Sequence, residues 1–228
     1  MVHRSEDATA LLGMPGFTVG AQELIDGEWW LWVETTADRA ACPSCGVWAV
    51  GHGRRRVAVR DLPIAGRPVV LCWSKRIWRC ADGDCEARTW SETSAHIRPR
   101  AVLTERARAE ICRRVGEDID SVAEAARAFG VGWHTAMAAV TDHGRPRVDD
   151  PDRIASATAI GADETVFLHA CRHRHTSYAT GIVDLDRSQL LDVVPGRSGR
   201  VLGDWLDTQS QDWRDQMCIP VIADSCSG

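Results

Sequence analysis

The sequence predicts an α+β chain of several small domains. Three observations carry that prediction: two closely spaced cysteine pairs early in the chain, helical periodicity in its middle, and a return to strand periodicity after Pro151. With 228 residues the chain is long enough for roughly two or three such units. A hydrophobic content of 44% with 26% charged residues excludes a disordered or fibrous chain. No stretch approaches the roughly 18 unbroken apolar residues of a membrane helix, so no membrane partner is expected. The N-terminus lacks a basic run ahead of an apolar segment and cleavage site, so a cytoplasmic location is expected, where metal-bound or buried thiols outnumber disulfides.

The formal net charge of -5 is unevenly spread. Residues 1–41 are acidic, with Glu6, Asp7, Glu23, Asp26, Glu28, Glu34 and Asp38 against Arg4 and Arg39. Between Gly46 and Cys80 the sign reverses through Arg54, Arg55, Arg56, Arg60, Arg67, Lys75, Arg76 and Arg79, and Arg106, Arg113 and Arg114 extend the run. A basic middle between acidic ends predicts a polyanion-binding surface, with double-stranded DNA as the expected partner.

Taken in order, residues 1–41 form an N-terminal segment and residues 42–97 a zinc-ribbon-like domain. Cys42-Pro-Ser-Cys45 and Cys80-Ala-Asp-Gly-Asp-Cys85 are two turn-forming knuckles. Four thiolates at about 2.3 Å suit a tetrahedral Zn²⁺ with no open position, hence a structural ion; unligated thiols or a disulfide are the alternatives. Cys72 and His52 are substitute ligands, although Cys72 sits in a strand pattern. Short strands are expected over Arg56–Arg60 and Pro68–Trp73, around the turn Leu62-Pro63-Ile64-Ala65-Gly66.

Residues 98–143 predict a helix-turn-helix DNA-binding domain. Thr104 caps a helix running to about Val115, with Arg106, Arg113 and Arg114 supplying phosphate-binding charge alongside Arg54, Arg55 and Arg56. Ser121-Val-Ala-Glu124 is a capping box, Val122, Ala125, Ala126 and Phe129 mark the buried face, and Gly130 stops the helix. A third helix begins near Trp133, with Trp133, Ala136, Met137 and Val140 on its core side. Its first turn, Trp133, His134 and Thr135, is the candidate DNA-reading surface.

Gly144–Asp152 is polar and proline-punctuated, and residues 144–156 are expected to be a linker. Residues 157–228 then read as strands over 157–168, 176–184 and 189–194, a helix over 199–206 and a strand over 218–224. That order is the opening half of a ribonuclease-H-like sheet. Asp163 falls inside an apolar strand, where burial demands a cation or pairing with Arg172 or Arg174. Asp224 closes the fourth strand, and together the two carboxylates form a candidate Mg²⁺ site. Glu164 alternates to the opposite face. His169, Cys171, His173 and His175 read better as a polar turn than as a metal cluster.

The motifs CPSCG, DLPIAG, RIWRCADGDCEARTW, SVAEAARAFGV, IGADETVF, RHRHTSYATGIVDLD and LLDVVPGRSG occur in this order, and the chain resembles the N-terminal half of the ISL-three family of bacterial insertion-sequence transposases, of the DDE class. The resemblance implies a zinc finger and helix-turn-helix that hold terminal inverted repeats. It also implies a catalytic domain for metal-dependent DNA cleavage and strand transfer, with Asp163 as first acid, Asp224 as second and Mg²⁺ as cofactor. A third acid has no counterpart before Gly228, so a truncated copy that binds DNA without strand transfer is expected. A homodimer is compatible with this reading. The alternative is a zinc-ribbon and helix-turn-helix transcriptional regulator without catalysis.

Overall fold

The computed structural model describes residues 5–217 and 221–222, which divide into a unit of residues 1–145 and a unit of residues 146–228. In the first unit, helix α1 (Ser5–Leu12) precedes strands β1 (Phe17–Ile25), β2 (Glu28–Thr35), β3 (Ala49–Ile64), β4 (Arg67–Cys80) and β5 (Thr89–Ser91). The sheet order is β1-β2-β4-β3, with β5 paired to β4. Two-residue turns make both hairpins: Asp26 and Gly27 have φ of 48° and 85°, and Ala65 and Gly66 have φ of 50° and 73°. Positive φ at both central positions matches the right-handed twist of the flanking strands.

The two short strands expected around the Leu62–Gly66 turn are instead 16 and 14 residues long. Arginines at exposed positions mask the apolar alternation without breaking the backbone ladder, so the pattern understates the length. The acidic N-terminal segment also joins this sheet, because β2 runs parallel to β4 from Trp29↔Val69 to Val33↔Trp73. One sheet face is buried: Val19, Leu31, Val33, Val59, Val69, Leu71 and Trp73 pack with Leu12, Met14 and Phe17.

Three helices complete this unit: α2 (Glu105–Gly116), α3 (Val122–Phe129) and α4 (Trp133–Val148). Their ends follow the predicted chemistry. The Thr104 hydroxyl accepts from the Ala107 amide, the Ser121/Glu124 capping box is complete in both directions, and Gly130 ends α3 at φ 64°. Leu103, Ala107, Ile111, Ala125, Ala126, Phe129, Ala136 and Ala139 form the helical core, against which Leu62 of β3 packs. Gly144–Val148, expected to be linker, continues α4. Gly144 lies on the side of α4 that faces α2, where a Cβ would stand in ordinary contact, 3.6 Å, with Cys112 Sγ. Pro146 falls in the last turn of the helix, where its missing N–H costs one ladder bond.

The second unit contains α5 (Asp152–Ala155), β6 (Ile160–Leu168), β7 (Ser177–Asp184), β8 (Gln189–Pro195), α6 (Gly199–Asp207), α7 (Gln211–Gln216) and β9 (Val221–Ile222). Its sheet order is β8-β7-β6-β9: an antiparallel meander, then β9 parallel to β6 through Gly161↔Val221 and Ala162↔Ile222. Ile160, Ile182, Leu191, Leu202, Trp205 and Trp213 form its core. The two indoles cross edge to face at 5.8 Å, and each N–H has a partner, Asp192 Oδ2 for Trp205 and the Ile154 carbonyl for Trp213, both at 2.8 Å.

In the first unit the hairpin and the helices are joined at Asp61, which is 1% exposed. Its Oδ1 accepts from the Thr104 hydroxyl at 2.6 Å and from Arg106 Nε at 2.9 Å, while Oδ2 pairs with Arg106 Nη2. Arg106 also donates through Nη1 to the carbonyls of Leu12 at 2.7 Å and Gly13 at 3.1 Å. One carboxylate thus fixes the β3 end, the α2 cap and the α1–β1 connection. Backbone bonds run beside it, Arg60 N to the Val102 carbonyl at 2.7 Å and Thr104 N to the Arg60 carbonyl at 2.9 Å. Removing one partner of a buried ion pair costs about 3 to 5 kcal/mol, whereas an exposed pair is worth about 0 to 1 kcal/mol. Asp61→Ala is therefore expected to lower the thermal midpoint sharply, and Glu34→Ala, which removes only the exposed pair to Arg54, to leave it within a degree or two. Circular-dichroism melts of both variants in excess zinc check this; equal midpoints would contradict it.

Candidate metal centre and nucleic-acid interface

The two knuckles meet at one end of the β3–β4 hairpin. In the first, the Cys42 amide donates to the Val47 carbonyl at 2.8 Å and the Gly46 amide to the Cys42 carbonyl at 2.9 Å, with Gly46 at φ 75°. In the second, Cys80 ends β4, its amide bonded to the Arg88 carbonyl at 3.1 Å, and Asp82 Oδ1 turns the loop by accepting from the Asp84 amide at 3.0 Å. Cys42, Cys80 and Cys85 are buried and Cys45 is exposed. The sulfurs lie within 4.8 Å of one another, with Cys42 to Cys85 at 3.7 Å and Cys45 to Cys80 at 3.5 Å. A tetrahedral zinc with bonds of about 2.3 Å requires sulfurs about 3.8 Å apart, so the donor set fits this ion.

All four cysteines are free thiols, which removes the disulfide alternative. Cys72 lies on β4 outside the group, and His52 is exposed on β3; neither is among the gathered ligands. The Cys45 amide, donating to Cys42 sulfur, pulls that thiol down to about 7. Desolvation pushes Cys80 up to about 12. At Cys85 the Ala87 amide favours the thiolate, but burial and the Cys45 and Cys42 thiols outweigh it and raise the value. Thiols crowded in this way ionise together only when a cation supplies the compensating charge, and four sulfur ligands leave that ion no open coordination position.

The predicted DNA-binding residues fall into three groups. Trp133 is 49% exposed, contrary to its expected place in the core. The inward face of α4 is Ala136 and Ala139, and these small side chains let the helices approach closely while the Trp133 indole overhangs the end. Its ring meets the His134 imidazole edge to face at 5.2 Å; His134 is exposed and Thr135 half-buried. Arg55 and Arg56 are exposed on β3, free of ion pairs among the described residues, and Arg54 pairs with Glu34.

The third group is paired with carboxylates of the same unit. Arg106 is committed to Asp61, so its expected phosphate contact is not available. Arg114 pairs with Asp120 at 2.6 Å, and Arg113 bonds Glu110 and Asp118, each at 2.8 Å. Hydrogen bonds donated to Glu110 and then to Asp118 hold Arg113 above its ordinary value, and Arg113 in turn holds both carboxyls below theirs. Ser121 holds Glu124 low in the same way through the capping box. These arginines brace the α2–α3 connection.

In the second unit, Asp163 is exposed, correcting the expectation of a buried carboxylate. Burial on β6 ends after Ala162, and among the described residues Asp163 Oδ1 accepts only from the Glu164 amide at 2.9 Å, with no ion pair to Arg172 or Arg174. Arg174 bonds the His169 carbonyl instead at 3.2 Å. Glu164 is exposed, and His169, Cys171, His173 and His175 assemble no ligand cluster among the described residues. Asp224 lies outside the described residues.

Residues 38–85 match the zinc-finger of transposase IS204/IS1001/IS1096/IS1165, and residues 92–144 match the helix-turn-helix domain of transposase family ISL3. The transposase for insertion sequence element IS1001 from Bordetella parapertussis is 28% identical over 172 residues, covering 74% of this chain and 39% of that protein. No solved structure matches. No helix among the described residues is long and apolar enough to cross a membrane.

The four-sulfur geometry predicts about one zinc per chain, lost in Cys45→Ser and retained in Cys72→Ser, as read by atomic absorption after desalting. Retention by Cys45→Ser would remove the metal centre. A carboxyl whose folded value is depressed adds stability above its unfolded value of about 4 and loses it as pH falls through the depressed value. With Glu110, Asp118 and Glu124 all depressed, the helical signal is expected to melt progressively lower below about pH 4. In Arg113→Gln that acid slope should be shallower.

Proposed function

We propose that this chain, which carries the zinc-ribbon and helix-turn-helix domains of the ISL3 family of transposases, binds the terminal inverted repeats of an insertion sequence as double-stranded DNA. The observation that carries this reading is the capped α3–Gly130–α4 turn, with the α4 N-terminus exposed, in the same unit as the four-cysteine ribbon. With α4 in the major groove, His134 and Thr135 face base edges and the Trp133 ring packs against the groove wall. The first turn of α4 holds no acidic residue, so the positive end of its dipole faces a phosphate unopposed. Arg55 and Arg56 on β3 supply further backbone contacts. Zinc, held by Cys42, Cys45, Cys80 and Cys85, cross-links the ribbon.

Residues 157–228 correspond, in this reading, to the start of a ribonuclease-H-like domain of the DDE class. The β8-β7-β6-β9 order, with β9 parallel to β6, supports it. Asp163 and Asp224 are its Mg²⁺-binding acids. Asp163 follows Ala162, the last β6 residue paired with β9, and its exposed carboxylate is accessible to an ion from solvent. DNA cleavage and strand transfer belong in this proposal to the longer enzyme, since this chain spans 39% of the length of the relative it matches.

Nuclease protection on the ends of the flanking element tests the reading. Protection of the inverted repeats over an unrelated duplex is expected, with His134→Ala losing about tenfold or more of that preference. Equal affinity for unrelated duplex, or protection confined to a promoter operator, would overturn it.

A further inference from the structure

The far half of the β3–β4 hairpin sets like charges directly opposite each other. Arg54 faces Arg76, and in the next register position Arg55 faces Lys75. Cross-strand like charges destabilise a sheet, so two consecutive pairs need a reason outside the sheet's own stability. Arg54 is offset by Glu34, and Lys75 lies over the Trp73 ring at 4.7 Å. Arg76 has no such relief. Its backbone amide donates to Glu92 at 2.7 Å, but its guanidinium forms no ion pair or hydrogen bond among the described residues, and Nη1 is buried without a partner. Other arginines with an orphaned buried nitrogen are compensated: Arg60 by Glu28, Arg108 by Asp142, Arg214 by Asp207, and Arg153 by the Leu190 and Leu191 carbonyls.

Arg76 also lines a cleft of about 370 Å³ together with Arg54, Gly51, Gly53, Trp78 and Asp38. The ladder is interrupted between Gly51 and Gly53, and Gly53 has φ 136°, a backbone conformation that needs glycine. A Cβ at either glycine would meet nothing within 4 Å, so this backbone is open to close approach from outside. Asp38 is the one carboxylate lining the cleft, and no ion pair ties it to Arg76. A half-buried, unpaired guanidinium beside an open glycine backbone suits a tetrahedral oxyanion, which accepts a forked pair of N–H bonds.

We propose that this cleft seats a DNA backbone phosphate, with Arg76 as its principal ligand and the Gly51–Gly53 backbone as the floor. This rests on the DNA-binding reading above and adds a contact that is independent of base sequence. It places a phosphate on the ribbon in addition to those met by α4.

Binding of the zinc-loaded full chain to inverted-repeat and unrelated duplexes, measured across a salt series, tests it with Arg76→Gln. Loss of one phosphate contact is expected to weaken both duplexes about tenfold and to lower the log–log salt slope by about one. Amide resonances of Gly51 and Gly53 should shift on adding duplex. An unchanged slope, or resonances that stay fixed while duplex binds, overturns the seat. Shifts with inorganic phosphate but not with duplex also overturn it, as a free-anion site. Wild-type protein that fails to prefer the inverted repeat defeats the functional reading alone, because the seat acts on any duplex. Zinc content and melting of Arg76→Gln verify that the fold survives.

Discussion

Four sulfur atoms within 4.8 Å of one another, three of them buried, set the condition on which the ribbon depends. Such a group is unfavourable as bare thiolates and gains little as thiols, so its stability comes from the ion that it fits. The consequence reaches along the hairpin. Cys80 is the last residue of β4, and Cys42 lies between the β2 and β3 strands, so the ion ties the open end of a long antiparallel pair to its neighbours. At the other end Asp61 does the corresponding work with hydrogen bonds and charge, joining β3 to the cap of α2. The helices are thereby held to a sheet fastened at both ends.

That arrangement changes how the basic middle of the chain is understood. Counted along the sequence, its arginines form one positive stretch. In three dimensions Arg60, Arg98, Arg106, Arg108, Arg113 and Arg114 are each spent on a carboxylate of the same unit. Among the described residues, the hairpin guanidiniums without an ion pair are Arg55, Arg56, Arg67, Arg76 and Arg79. Part of the charge is therefore scaffold, and the rest, concentrated on the hairpin, is available to a polyanion. Net charge says little about such a protein, since the acidic residues that offset the sum are the ones holding the arginines in place.

Features set by local chemistry were legible in the sequence. The knuckles, the Thr104 cap, the Ser121/Glu124 box and the Gly130 stop each depend on residues a few positions apart, and each appears where the spacing puts it. Asp26-Gly27, flanked by apolar alternation within the acidic segment, is an equally local hairpin signal. Long-range features were not legible. Nothing local sends β2 alongside β4 in parallel, or gives Asp61 its two partners from α2. Trp133 and Asp163 failed for a common reason. Periodicity shows which residues share a face, but burial depends on what covers it, and among the described residues nothing covers the start of α4 or β6 beyond Ala162. The Arg76 position required the hairpin register, which two ladder irregularities shift.

The central claim is that one structural ion, held by sulfur alone, organises the DNA-binding unit. X-ray absorption at the zinc edge of the purified chain tests it most directly. The account predicts a single shell of four sulfur scatterers at about 2.3 Å. A shell containing nitrogen or oxygen ligands, or protein that folds cooperatively with no zinc at all, would contradict it.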